Sequence, residues 1–295
     1  MDSHKAGFVN IIGNPNVGKS TLMNELVGEK LSIITSKAQT TRHRIMGIVS
    51  GDDFQIVYSD TPGALTPHYK MQEGMMSFVN TALSDADILL YVVEIGESPN
   101  PEKNILYEKL TKNEAKLILI INKIDLSTNE ELEQKTELWK AAFPNAIIIP
   151  VSALQKFNIK LLFDAIIKYL PENPPFYDKS QLTDKPEKFF VSEIIREKIL
   201  KFYQKEIPYS VEVIVNEFKD EETIIKIAAE IMVARESQKG IIIGHQGKAI
   251  KKLGTEARKD IEKFFGKKVF IELFVKVNKD WRDSEIQLRK YGYIK

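Results

Sequence analysis

Residues 8–22 read FVNIIGNPNVGKSTL, a short β-branched run, then G-x-x-x-x-G-K-S over Gly13–Ser20, then the opening of a segment with helical spacing. A loop of this kind between a strand and a helix N-terminus turns main-chain N–H groups toward phosphates. Lys19 then neutralises the terminal phosphates, and the Ser20 hydroxyl is placed to ligate Mg²⁺. Chance gives such a string in roughly one chain in a hundred of this length, and its position directly after a strand lowers that further. Asn14, Asn16, Val17, Gly18, Lys19, Ser20 and Thr21 are the expected phosphate-side residues.

Outward from this loop, residues 6–170 alternate between β-rich runs (FVNII, QIVYS, ILLYVV, LILIIN, AIIIPV) and longer segments with helical spacing, the signature of a parallel sheet with crossover helices. RIMGIVSGDDFQIVYSD departs from that rhythm and reads as two strands joined at Gly51-Asp52-Asp53. The expected sheet is therefore mixed and mostly parallel.

The ends of later strands carry matching chemistry. Asp60-Thr61-Pro62-Gly63 closes QIVYS, which puts the Asp60 carboxylate beside the phosphate loop for an indirect hold on Mg²⁺. Gly63 offers a main-chain N–H to a γ-phosphate. Asn122-Lys123-Ile124-Asp125 follows LILII, and the Asp125 carboxylate can accept both guanine donors, which adenine lacks; a buried charge left unpaired penalises the wrong base. GTP is favoured over ATP. Ser152-Ala153-Leu154 fits a loop whose main chain meets the guanine O6, although Ser-Ala alone is uninformative.

These four elements in this order resemble the Ras-like GTPase superfamily, and GNPNVGKSTL, QTTRHRIMGI and DTPG are similar to its bacterial Era branch. The resemblance implies a segment that senses the γ-phosphate, with a threonine on Mg²⁺ in the GTP state: Thr41, or alternatively Thr40. It names Lys19, Thr41 and Gly63 as the residues acting on the γ-phosphate. Where Ras-like proteins carry a water-orienting glutamine this chain has Ala64 and then Leu65. The Era branch is similarly non-polar there, which implies slow intrinsic hydrolysis of GTP to GDP and phosphate. In related GTPases the residue matching Asn16 helps bind K⁺, which stands in for an arginine finger.

LPENPPFYDKSQLTDKPEKFF, from Leu170 to Phe190, discourages helix and central strand. The expected division is a nucleotide domain over 1–175, a linker over 176–190 and a second domain with a C-terminal tail over 191–295. The order in that second part reads helix, strand, strand, helix, helix, strand, and Gly244-His245-Gln246-Gly247 lies between its middle helices. This is the order of a type II KH domain, a smaller α+β fold in which the G-x-x-G loop clamps about four nucleotides.

The expected RNA-binding residues are Arg235, Ile241, Ile243, Gly244, His245, Gln246, Gly247, Lys248, Lys251 and Lys252. A turn between helices is the commoner explanation of G-x-x-G alone. Ile241 and Ile243 fit a platform for bases, with core packing expected of at least one. His245 fits base stacking or solvent. Trp281 and Arg282 fit stacking on nucleic acid, or an anchor for the C-terminal helix. Glu256, Asp260 and Glu262 read as a solvated helix face.

Bulk properties agree with this division. The chain has 295 residues, no cysteine and a net charge of +1. Cut at Leu170, the first part holds 17 basic and 20 acidic residues and the rest 25 and 21; from Arg235 to Lys279 the count is twelve basic to five acidic. That excess suits a phosphate-rich partner, although a solvated helix face explains charge runs as often. No apolar run approaches the roughly 20 residues of a membrane span, and residues 1–10 show no export pattern. A cytoplasmic monomer without an integral span is expected, with peripheral association at the inner membrane the lowest-ranked alternative.

What the Era resemblance implies is binding to the 3′ end of 16S rRNA and a role in small (30S) subunit maturation. The competing reading is an RNA-binding scaffold whose nucleotide turnover is incidental, and Ala64 keeps it open.

Overall fold

The β-branched runs become strands and the amphipathic segments helices in the computed structural model, which describes residues 4–102 and 104–294. Residues 1–3 of the N-terminal reading, and residues 103 and 295 within the expected domain spans, lie outside the described residues. Two compact units emerge: one comprises 1–32, 41–68 and 72–184, the other 33–40, 69–71 and 185–295.

The first unit runs β1 (Lys5–Gly13), α1 (Lys19–Val27), β2 (Ile45–Ser50), β3 (Phe54–Asp60), α2 (Lys70–Ser84), β4 (Ile88–Glu94), α3 (Tyr107–Thr111), β5 (Lys116–Asn122), α4 (Asn129–Ala142), β6 (Ile147–Pro150) and α5 (Ile159–Tyr169). Among the described residues the sheet has six strands in the order β2-β3-β1-β4-β5-β6. β2 alone is antiparallel, joined to β3 across Gly51–Asp53, where Gly51 N–H donates to Phe54 O at 2.8 Å. The mixed, mostly parallel sheet is as the sequence indicates. Its central strands are near-continuous apolar runs because both faces are covered: Ile88–Val93 and Ile118–Ile121 are buried throughout.

The proline-rich stretch is more than a spacer, since residues up to Asp184 belong to the first unit. They strap the free edge of β2: Ile48 N–H donates to Leu182 O at 2.8 Å, and Thr183 Oγ1 to Met46 O at 2.7 Å. An unpaired edge strand needs such cover, and the strap supplies it without becoming a regular strand.

The second unit runs α6 (Glu187–Phe202), β7 (Glu212–Asp220), β8 (Ile224–Val233), α7 (Glu236–Ile243), α8 (Lys248–Phe265), β9 (Lys268–Val277) and α9 (Glu285–Lys290). β7 pairs antiparallel with β8, and β8 pairs parallel with β9. Leu253, Ala257 and Ile261 recur every four residues on α8 and enter the core with Ile195, Ile199, Ala229 and Ile231. Segment 33–40 clusters with this unit. The Lys37 ammonium donates to the carbonyls of Leu200 and Tyr203 where α6 ends, a placement the helix dipole favours. Arg196, buried and 2.5 Å from Glu193, donates to the carbonyl oxygens of Thr40 and Gln39.

Candidate functional site

β1 and β3 run parallel with Ile11 opposite Asp60, so the phosphate loop and the Asp60 carboxylate leave the sheet side by side. Asp60 is fully buried. Its Oδ2 accepts from Ser20 Oγ at 2.6 Å and from Thr41 Oγ1 at 3.3 Å, and the two hydroxyls are 2.8 Å apart. Oδ1 is buried with no partner among the described residues. Burial raises the Asp60 carboxyl above the usual range, while the Ser20 hydrogen bond and the Lys19 charge act against it. Two hydroxyls and a carboxylate with an unused oxygen fit Mg²⁺, a hard ion that takes oxygen ligands and keeps several waters. Thr40 does not share this site: its hydroxyl meets Thr35 Oγ1 and Lys37 O, each at 2.6 Å.

Lys19 is buried at the start of α1, and its Nζ donates to Gly13 O at 3.1 Å and Asn14 O at 2.7 Å. Burial lowers its pKa to about 8, with the charges of Asp60 and Glu97 opposing. A buried ammonium of this kind lacks a full counter-charge, which a triphosphate supplies. Gly63 approaches the loop so closely that a Cβ there would lie 2.7 Å from Pro15 main-chain atoms. Ala64 N–H donates to Gly13 O at 3.1 Å, and the Ala64 side chain is buried in the core. No polar side chain stands at that position to orient water.

On the base side, Asn122 is a clamp: its Nδ2 donates to Val17 O at 2.8 Å and its Oδ1 accepts from Ala153 N–H at 3.0 Å. The phosphate loop and the Ser152-Ala153-Leu154 loop are thereby fixed to one side chain. Asp125 is exposed and accepts from Ser152 Oγ, which holds its carboxylate in place. Lys123 adopts a left-handed conformation, φ 63°, and pairs with Glu94. Val17 and Ala153 are buried, Gly18 and Thr21 half-buried, Asn16 and Leu154 exposed. Glu94 and Glu97 were not singled out by sequence; both lie outside the nucleotide motifs.

In the second unit, Gly244 ends α7 with φ 69°, and a Cβ there would lie 2.5 Å from Ala249 Cβ, so this glycine is required by both conformation and space. His245, Gln246, Lys248, Lys251 and Lys252 lie along the loop and the first turn of α8, and all five are exposed; Arg235, at the start of α7, is also exposed. Ile241 is 50% exposed while Ile243 packs against the core, so core packing falls to Ile243. Beside the loop, α8 and β9 enclose a groove of about 310 Å³ lined by Ile250, Lys251, Gly254, Thr255, Arg258, Phe270, Ile271 and Leu273. Its apolar floor and basic rim suit unstacked bases and their phosphates.

Trp281 is buried, donates from Nε1 to Ser210 O at 3.2 Å and packs edge-on against Tyr291, so it anchors the C-terminal segment and cannot stack on a base. Arg282 lies over the Tyr69 ring, 4.9 Å from its centroid. Asp260 and Glu262 are not simply solvated: Asp260 pairs with Lys198, and Glu262 accepts the Val269 N–H at 3.1 Å.

Comparison with known proteins covers both units. Residues 8–123 match the family described as 50S ribosome-binding GTPase, and residues 206–282 match the KH domain family. GTPase Era of Syntrophus aciditrophicus is 47% identical over 98% of this chain and 95% of its own length. GTPase Era of Staphylococcus epidermidis is 42% identical over 100% and 99%. A crystal structure of Era with MgGDPNP and nucleotides 1506–1542 of 16S ribosomal RNA superimposes with TM-score 0.94 at 36% identity, covering 99% of this chain and 100% of that one. A single-substitution variant of Aquifex aeolicus Era bound to GDP·AlF4⁻ matches with the same score, identity and coverage. With a phosphate loop, a magnesium-ready hydroxyl pair and a G-x-x-G groove on one chain, and relatives matching it end to end, this protein belongs to the Era family of GTPases.

Proposed function

We propose that the protein binds and hydrolyses GTP with Mg²⁺ and that the bound nucleotide sets its affinity for single-stranded ribosomal RNA at the α8–β9 groove. The observation that carries this reading is the meeting of Ser20, Thr41 and Asp60 at the phosphate loop, because Thr41 directly follows the segment 33–40 that clusters with the RNA-binding unit. Lys19 and the metal stabilise charge on the phosphates, and with Ala64 in place of a glutamine turnover is slow, which suits a timer. The RNA in the related Era complex, nucleotides 1506–1542 of 16S rRNA, supports the 16S 3′ end as target and small-subunit maturation as role. We place the protein in the cytoplasm as a monomer acting on the 30S subunit; among the described residues no helix is long and apolar enough to cross a membrane.

RNA affinity measured with a non-hydrolysable GTP analogue and with GDP tests this reading. Tighter binding with the analogue supports the switch, and equal affinities support the scaffold. Asn16 adds a K⁺ dependence to the reading, and equal hydrolysis rates in K⁺ and Na⁺ would remove it.

A further inference from the structure

Glu97 stands in the loop after β4, outside every nucleotide motif, yet its carboxylate grips the phosphate loop and, through Glu94, connects it to the base motif. Oε1 accepts from Asn14 Nδ2 at 2.7 Å, across 83 residues of sequence, and Oε2 accepts the Glu94 N–H at 3.2 Å. The Glu94 carboxylate in turn pairs with Lys123 of the base motif. Lys135, on α4, secures the loop from outside by donating to Glu97 O at 3.0 Å and Ser98 Oγ at 2.7 Å. At the other end of the chain of contacts, the Asn14 carbonyl receives the Lys19 ammonium at 2.7 Å.

Behind this contact lies a cavity of about 130 Å³ whose walls include Asn14, Glu97, Tyr91, Asn104 and Trp139. The Trp139 Nε1 is buried with no partner among the described residues, while Tyr91 OH accepts from Asn104 Nδ2 at 2.5 Å. The Asn14 amide, the Glu97 carboxylate and the Asn104 amide on its wall give water in this cavity hydrogen-bonding partners. The Asn14 side chain therefore has Glu97 on one side and a solvated pocket beside it, so removing Glu97 frees it to turn.

We infer that Glu97 is a positioning residue for GTP hydrolysis: by gripping the Asn14 side chain it fixes the Gly13–Asn14 main chain and, through it, the Lys19 ammonium. The inference rests on the hydrolytic reading above. Lys19 acts most strongly as charge shifts along the phosphates in the transition state, so a loosened loop costs turnover more than binding.

A double-mutant cycle tests it. Asn14→Ala and Glu97→Ala should each lower kcat roughly tenfold with KM for GTP within about threefold. The double variant should be no slower than either single, because both remove one contact. Glu97→Gln, whose amide oxygen still accepts from Asn14, should restore most of the lost rate. Amide hydrogen exchange over residues 14–20 of the nucleotide-free protein should quicken in both alanine variants. Multiplicative losses in the double variant, or a lowered Tm with kcat and loop exchange as in wild type, would overturn the inference in favour of a mere loop tether. Exchange is read without nucleotide, so it decides the contact even for a chain that fails to turn over GTP; that failure would sink the hydrolytic reading instead.

Discussion

Ser20 Oγ and Thr41 Oγ1 lie 2.8 Å apart, although 21 residues separate them, and both reach Asp60 Oδ2. Hydrogen bonds to each other and to the shared carboxylate hold the two hydroxyls together, where a Mg²⁺ ion would draw on both. Ser20→Ala should therefore weaken GTP binding by at least about tenfold, the order of one lost charge-assisted contact, and make the remaining affinity depend more steeply on Mg²⁺. Calorimetric titration with GTP at several Mg²⁺ concentrations measures this. A variant with wild-type affinity and wild-type Mg²⁺ dependence would place the metal elsewhere.

Lys19 predicts a pH dependence. Its pKa in the nucleotide-free protein is about 8, against an ordinary 10.5, while phosphates at the loop favour its charged form. Below pH 8 the ammonium is already charged and GTP binding takes up no proton here. Above pH 8 one proton enters with the nucleotide, so affinity falls about tenfold per pH unit. For folding the sign is opposite: between 8 and 10.5 the unfolded chain holds more protons at this residue, so its contribution to the stability of the nucleotide-free protein rises with pH. Binding enthalpies in buffers of different ionisation heat should show proton uptake at about pH 9 and none at about pH 6.5.

Asp125 and Ser152 form the base-side pair. Asp125→Asn exchanges one carboxylate oxygen for a donor, which repels guanine N1–H and its amino group and accommodates xanthine. Competition binding with GTP and XTP should invert in the variant. Retained guanine preference would mean that the base is read by other residues.

The nucleotide motifs were legible because phosphate, metal and base contacts demand short contiguous strings at strand ends, and the strands that carry them are plain apolar runs. Thr41 is preferred over Thr40 on family resemblance alone, since the stretch before β2 has no periodicity to set which hydroxyl faces Ser20. Glu97 was illegible for a different reason: its partner Asn14 is 83 residues away, and a lone glutamate in a loop gives no signal. The groove shows the same limit. Gly244–Lys248 could be read directly, but Arg258 and Phe270 meet only because β9 pairs parallel with β8 beneath α8. The prolines of residues 171–186 correctly mark an irregular segment, yet its cover of β2 depends on which strand the sheet leaves at its edge.

The G-x-x-G loop needs a gentler test than a change at Gly244, where a side chain would meet Ala249 at 2.5 Å and strain the left-handed turn. Gln246 already holds φ 53° and is exposed, and aspartate tolerates that conformation. Gln246→Asp should set a carboxylate against the RNA backbone and weaken RNA binding by at least about tenfold while leaving Tm and GTP hydrolysis near wild type. Lys251→Ala should instead lower affinity evenly across RNA sequences and reduce the salt slope by about one. Unchanged RNA affinity in both variants would move the interface off this groove.

Arg196 carries the final prediction. Its guanidinium is buried, neutralised by Glu193 and bonded to the carbonyls of Gln39 and Thr40, the residues immediately before Thr41. A change in Thr41 as the γ-phosphate arrives must therefore pull on a chain segment that Arg196 and Lys37 hold to α6. Removing the guanidinium from Glu193 would strand a buried carboxylate, so the cleaner variant is Lys37→Met, which keeps the apolar stem and deletes the ammonium. In Lys37→Met the ratio of RNA affinities between the GTP-analogue and GDP states should shrink toward one, with GTP affinity and Tm little altered. If the ratio stays at its wild-type value, nucleotide state reaches the RNA groove by a route that does not pass through segment 33–40.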